Sequence, residues 1–274
     1  MSKLYFEYWT DISYSENASA CHYTLKCLPR DTDMQKITDL KVVIQPENHC
    51  QMDYDSFGNR IAHGDIYVNH NQFSFHVTGT AQTECAISEK VGEDEFVGLY
   101  RYPNTLNAAG NSLKAYFDGL KVPAKGVYTN SCGDTGEVTD YDRAVYLMNA
   151  LHRDYTYEPG VTHVGTTAEE AWQLGRGVCQ DYAHMLIGLC HLAGIPARYV
   201  TGMMVGEGYS HAWVEILSKG YWYGMDPTNG GVTTGNYIKI AVGRHANDCI
   251  VNRGILRGGG IQTQEIRVVV EEIE

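Results

Sequence analysis

The stretch from residue 167 to residue 230 constrains the fold most, because it dictates a helix followed by a two-stranded ribbon. Gly175 and Gly177 break a preceding helical pattern, since glycine reaches backbone conformations barred to other residues. From Cys179 a second pattern starts: Ala183, Leu186, Ile187, Cys190 and Ala193 recur at three- and four-residue steps. Gly194 supplies the stop and Pro196 prevents resumption. Cys179 is therefore expected at a helix N-terminus, whose partial positive charge favours a thiolate over a thiol. Arg176 would add to that field if it points the same way. A lone cysteine is more often a small buried apolar residue, so its partners must decide.

From His211 to Ile216 the chain alternates, with Ala212, Val214 and Ile216 on one face and His211, Trp213 and Glu215 on the other. Ser218-Lys219-Gly220 is a turn signal, and Tyr221-Trp222-Tyr223 opens a second strand. A Ser218-Lys219 loop would set Leu217 against Gly220 and His211 opposite Asp226; a three-residue loop would shift this by one position. Pro227 removes a backbone donor and suits a strand end. The three residues meet a chemical need, in which a thiol is activated by a base and the base is oriented by a third group.

Four segments in this order, Gly-Val-Cys-Gln-Asp-Tyr-Ala-His, Gly-Ile-Pro-Ala-Arg-Tyr-Val, Ser-His-Ala-Trp-Val-Glu and Met-Asp-Pro-Thr-Asn-Gly, resemble the transglutaminase-like superfamily. The likeness is strongest to its bacterial branch of so-called "putative cysteine proteases" and runs from about Tyr141 to Gly260. It implies an α+β, papain-like core in which Cys179 matches the nucleophile, His211 the base and Asp226 its orienting partner.

Before that region the chain reads as β-structure. Tyr5, Glu7 and Trp9 alternate with Phe6, Tyr8 and Thr10, Lys41 to Ile44 is a strand ended by Pro46, and Phe73, Phe75 and Val77 alternate after a turn at residues 69–71. Short strands with regular turns suggest a β-sandwich-like domain, loosely similar to the N-terminal region that accompanies bacterial transglutaminase-like cores. Pro123, Gly126, Gly133 and Gly136 interrupt every pattern from 116 to 140, which places a boundary near residue 120 between an N-terminal β domain (1–120) and the catalytic core (121–274). Asp140 is expected to cap one helix, and Thr167 with Glu170 to form a capping box on another. Residues 206–209 read as a flexible loop bordering a substrate entrance. Gly258 to Gly260 read as a flexible break before a closing strand through Ile266, Val268 and Val270.

The second tier of site residues is weaker. Asp181 in the first helical turn complements the helix dipole and is expected to be structural. His184 is expected to bond a neighbouring loop, and Arg198 to form a structural ion pair, with Asp181 as the candidate partner. The backbone N–H of Cys179 is a natural oxyanion donor, and Trp172, Tyr155 and Tyr157 are candidates for a second. No metal site is expected: there is no Cys-x-x-Cys, no His-Glu-x-x-His and no Asp-rich calcium loop, and His184 and Cys190, six apart, do not share a helix face. No cofactor is implied.

A net charge of −12, acidic in both halves, argues against nucleic acid and anionic lipid as partners. No export signal or membrane span is visible, so the eight scattered cysteines read as reduced and the protein as cytoplasmic. The expectation is a cysteine-dependent acyl-transfer enzyme acting on amide bonds of a peptide or protein substrate through a thioester, most simply a peptidase or amidase. The rivals are a protein-glutamine transglutaminase, which would pass the acyl group to an amine, and an inactive binding module that keeps the groove.

Overall fold

Alternation shapes the amino-terminal half. In the opening strand, Ser2–Leu25, Leu4, Phe6, Tyr8, Thr10 and Ile12 are buried while the residues between them are partly exposed. That period of two is what a strand with one face on a core requires. The structure, a computed structural model, describes residues 1–84, 88–93, 95–129 and 135–274. Along one edge of the opening strand lie His70–Thr83 and then Arg60–Ile66; along the other lie Gln262–Glu272 and then Asn252–Gly258, all antiparallel. Both edges change partner between Tyr14 and Cys21.

The sheet folds over at that point. Tyr23, beyond the bend, meets Phe73, which pairs before it, with ring centroids 5.1 Å apart. On the outer strands Gly258, Gly259 and Gly260 make the same bend with φ of 85°, 89° and 62°, a region other residues rarely enter. What reads in sequence as a flexible break is a defined corner. The β-sandwich-like domain is thus a single eight-stranded sheet folded by strands that bend from one layer into the other. Burying Phe6, Phe73 and Phe75 between the layers contributes about 1.5–3 kcal/mol each.

The core sheet runs Gly231–Val232, Tyr221–Asp226, His211–Ser218, Ala197–Met204, Tyr237–Gly243, with Ser88–Lys90 added beside Tyr221–Tyr223. Four helices accompany it among the described residues: α1 (Asn111–Gly119), α2 (Asp140–Asp154), α3 (Ala168–Leu174) and α4 (Cys179–Leu192). Every residue of α4 from Asp181 to Cys190 is buried, so this helix is the centre of the core. It packs on Ala197–Met204 and His211–Ser218 and is surrounded by the other three helices. Capping boxes start α2, at Thr139 with Asp142, and α3, at Thr167 with Glu170. The α2 cap therefore falls one residue before Asp140.

The junction is more structured than its glycines suggest. It contains the last four residues of α1, a helix whose Leu113, Tyr116 and Phe117 pack on the core together with its cap Leu120 at helical spacing, and a ladder between Gly126–Thr129 and Thr135–Val138. Gly133 lies outside the described residues. A line drawn at residue 120 does not separate the two sheets: Asn252–Gly258 and Gln262–Glu272 belong to the amino-terminal sheet, while Ser88–Lys90 belongs to the core. Cys21, Cys27, Cys50, Cys179, Cys190 and Cys249 are free, and Cys85 and Cys132 lie outside the described residues. Among the described residues no helix is long and apolar enough to cross a membrane.

The amino-terminal sheet holds the last core strand through side-chain amides. Gln35 donates to Lys239 O at 2.7 Å and accepts from Lys239 N at 2.8 Å; Asn59 does the same at Val242, both at 2.8 Å. The Thr83 hydroxyl donates to Gly235 O.

Candidate active site

Glycine sets the approach to α4. Gly175 closes α3 in the left-handed conformation, φ 73°. Arg176–Gly177 then pairs in parallel with Thr156–Tyr157, and Glu158 N donates to Gly177 O at 2.8 Å. A Cβ at Gly177 would lie 2.4 Å from Asp181 Oδ2 and 2.5 Å from Tyr155 Oη, so no larger residue fits. Asp181 Oδ2 accepts from Val178 N at 2.8 Å and from the Thr162 hydroxyl at 2.7 Å, fastening the first turn of α4. Burial nonetheless outweighs those bonds and pushes the Asp181 carboxyl up from its ordinary range. Cys179 is the first residue of the helix and is half-buried.

The hairpin delivers the other two residues in a register that differs from the expected one. Ser218 pairs with Tyr221, and the loop is Lys219-Gly220 with φ of 49° and 82°. Two positive φ values make the turn whose twist matches that of the strands, which explains the choice of loop. The ladder reaches Val214 and Met225. One step further it sets Trp213 opposite Asp226 and leaves His211 two positions along on the same face. A shift of two residues preserves the face because side chains alternate with period two. His211 Nε2 accordingly bonds Asp226 Oδ2 at 2.7 Å, and Cys179 lies near enough to the same imidazole to help raise it. With Nε2 committed to the carboxylate, Nδ1 is the nitrogen left for sulfur.

Asp226 is fully buried and fully satisfied. Its Oδ1 accepts from Thr228 N at 3.0 Å and Asn229 N at 3.2 Å; its Oδ2 accepts from His211, from Asn229 Nδ2 at 2.7 Å and from Tyr237 Oη at 2.8 Å. Burial disfavours the charged carboxylate, but the bonds and charge of His211 and the donors Asn229 and Tyr237 hold it below its ordinary value. Burial likewise works against an imidazolium at His211, yet its bonds and charge interactions with Asp226 and Cys179 raise it to about 10.

The remaining sequence candidates scatter. Tyr157 sits beside the nucleophile loop, pairing with Gly177 two residues before Cys179; it is 52% exposed, and after burial the Cys179 charge is what raises its phenol. Tyr155 is not placed to receive substrate, because its hydroxyl is buried beside Gly177 and Asp181. Trp172 stacks between Tyr116 and Tyr155, with centroids 4.1 and 6.4 Å away. His184 is buried and accepts from Ala246 N at 3.1 Å, and burial drives it down to about 3, a neutral ring. Arg198 does not reach Asp181: it pairs with Glu215 at 2.6 Å and with Glu95, under the ring of Trp222 at 4.2 Å. Arg176 points away from Cys179 to Glu158, at 3.1 Å. Residues 206–208 are not a free loop but a short strand paired with Val268–Val270. Asn229 and Tyr237 are additions that sequence reasoning missed. Among the described residues no group of three or more His, Cys, Asp or Glu is arranged to hold a metal ion.

Comparison with known proteins fits this geometry. Residues 130–227 match the model of the transglutaminase-like superfamily, and residues 5–82 match that of the bacterial transglutaminase-like N-terminal region. The likeness to the transglutaminase-like superfamily thus covers the core, residues 130–227. The transglutaminase-like core match takes in Cys179, His211 and Asp226 and ends before Asn229 and Tyr237. An uncharacterized protein of Mycobacterium leprae is 40% identical over 125 residues, 42% of this chain and 44% of its own. Uncharacterized proteins of Mycobacterium bovis and Mycobacterium tuberculosis are 31% identical over 126 residues, 40% of this chain and 40% of theirs. The chain therefore spans less than half the length of the curated relatives it matches. A crystal structure of a "Putative Cysteine Protease" from Cytophaga hutchinsonii has a TM-score of 0.75 at 23% identity, covering 100% of this chain and 92% of that one. That likeness is one of fold: the papain-like α+β core of transglutaminase-like proteins together with an amino-terminal β-sheet.

Proposed function

We propose that the protein is a cysteine-dependent acyl-transfer enzyme that opens amide bonds of peptides or proteins, as a peptidase or amidase. The observation that carries this reading is one imidazole bonded to a buried carboxylate, at 2.7 Å, and raised as well by the nearby cysteine that begins α4. The name borne by the Cytophaga hutchinsonii neighbour agrees with it.

The Cys179 sulfur attacks the amide carbonyl carbon, forming an S–C bond as the C=O π pair moves onto oxygen. The backbone N–H of Cys179 and the Tyr157 hydroxyl are the donors for that oxyanion. His211 gives its Nδ1 proton to the amide nitrogen, the C–N bond breaks, and the amine leaves a thioester behind. Water then attacks the thioester, His211 takes one of its protons, and the C–S bond breaks to release the carboxylic acid. Asp226 holds the ring in the orientation that serves both steps.

The test is cleavage of fluorescein-labelled casein and of a mixed peptide library, with and without a dansylated primary amine. New peptide termini that vanish in Cys179→Ser support hydrolysis. Dansyl label on the protein substrate shows that an amine, rather than water, resolves the thioester. Undiminished turnover by Cys179→Ser would end the proposal.

A further inference from the structure

Four of the hydrogen bonds to Asp226 come from residues close to it. Thr228 N, Asn229 N and Asn229 Nδ2 belong to the turn that Asp226 itself begins, and His211 is on the paired strand. The local turn donors move with the carboxylate and cannot fix it against the rest of the sheet. Tyr237 is different. It stands on Tyr237–Gly243, at the opposite side of the sheet from Tyr221–Asp226, and its hydroxyl reaches Oδ2 at 2.8 Å. Its ring meets Trp213 edge-on at 5.4 Å and lies 6.3 Å from the ring of His211. One side chain therefore touches the carboxylate and braces Trp213, whose ring stacks with that of His211 at 6.3 Å.

The strand that carries Tyr237 is in turn gripped from outside the core. Gln35 holds both backbone groups of Lys239, two residues after Tyr237, and the Thr83 hydroxyl holds Gly235 O, two residues before it. We infer that Tyr237 is a positioning residue for the Asp226–His211 couple, and that the amino-terminal β unit reaches the candidate active site through it by way of Gln35. The inference rests on Cys179, His211 and Asp226 acting as the proposed triad.

The chemistry gives the effect a sign. A phenol donating to a carboxylate stabilises its ionised form, and burial together with Asp226 holds the Tyr237 proton on well above the ordinary phenol range, so it remains a donor. Without it the carboxylate is easier to protonate, and the couple fails at a higher pH as the solution is acidified. The other titratable groups around this spot are His211, Cys179, His152 of α2, whose Nδ1 bonds Pro227 O at 3.1 Å, and Lys239, engaged with Glu89 and Glu215.

The test needs no substrate. The rate at which iodoacetamide labels Cys179 is followed by peptide mass spectrometry from about pH 4 to about pH 9, where carboxylates and imidazoles titrate. The proteins are the parent, Tyr237→Phe, Gln35→Met, their double variant and His211→Ala, each first checked for a cooperative thermal melt. Tyr237→Phe is expected to label about threefold or more slowly at the acid end and to converge on the parent at the alkaline end, as loss of one hydrogen bond to a charged group implies. Gln35→Met moves the profile the same way by less, and the double variant is no slower than Tyr237→Phe, because Gln35 acts through that residue. A Tyr237→Phe profile identical to the parent's, or lowered equally at every pH, overturns the inference, and so do effects that multiply in the double variant. Should Tyr237→Phe not fold, the acid-end slowing of Gln35→Met decides alone. Unchanged labelling in His211→Ala would remove the triad reading itself. Slowing there without slowing in Tyr237→Phe removes only the positioning role.

Discussion

Two groups of buried charge stand on the core sheet, and the strand His211–Ser218 contributes to both. At its start, His211 meets Asp226; four residues on, on the same face, Glu215 meets Arg198 and Lys239. The Arg198 group is closed. Its members, Arg198, Lys239, Glu215, Glu95 and Glu89, compensate one another, and Trp222 covers the guanidinium while donating to Glu95 at 3.1 Å. Burial opposes charge at both Arg198 and Glu215, yet each holds the other ionised. The Asp226 group is open. Apart from His211 its donors are neutral, so the carboxylate is fixed while the imidazole keeps one nitrogen for sulfur. A closed set of charges supports packing; a carboxylate saturated by neutral donors leaves a proton free to be exchanged.

The sharpest way to break this contrast is at the open group. Cys179→Ala and His211→Ala should each lower turnover of the casein probe roughly a thousandfold or more, as loss of a nucleophile or its base does, with the circular dichroism spectrum unchanged. Arg198→Leu should do the opposite. It leaves Glu95 without its cation and Glu215 with Lys239 alone, and should cost about 3–5 kcal/mol of stability by urea titration, with turnover per folded molecule preserved. If Arg198→Leu lost activity while keeping stability, the two groups would not differ in kind. Asp226→Asn falls between them. It keeps the shape but turns a donor toward donors, so turnover should drop on the order of a hundredfold with a stability loss of about 1–3 kcal/mol.

How much of this was legible follows from sequence distance. Cys179 at a helix start and His211 and Asp226 on one hairpin are products of short-range rules: a glycine break, an alternation, a tight turn. Even the wrong loop kept both residues on one face, because the error was an even number of positions. Asn229 was within reach too, since an aspartate at the head of a turn accepts from the residues that follow it. Tyr237 to Asp226, Glu95 to Arg198 and Gln35 to Lys239 span 11, 103 and 204 residues, and no local pattern announces them. The same holds for the corner at Gly258 to Gly260 and for the strand at 206–208, whose partner lies some sixty residues later.

Titration sharpens the contrast at smaller scale. His211 is raised from 6.5 to about 10 in the folded protein. Its bonds therefore contribute stability in full below about pH 6.5, and that contribution is lost as pH rises through about 10. Urea midpoints of the parent should decline across that window, while those of His211→Asn should decline less. The smallest effect is local: in Cys179→Ala the His211 ring should titrate at lower pH than in the parent by NMR, because one of the interactions that raise it is gone.

The grip of Gln35 and Asn59 on Tyr237–Gly243 has a consequence for which residues those two positions tolerate. Each side chain impersonates a neighbouring peptide group, offering one hydrogen to a carbonyl and one lone pair to an N–H of the outermost strand. A carboxylate lacks the hydrogen and an ammonium lacks the lone pair, so within this geometry only a primary carboxamide completes both contacts. By this counterfeit the backbone of Lys239 and of Val242 is paired at the rim of the sheet without a further strand, and a second molecule finds no bare peptide group at those two positions.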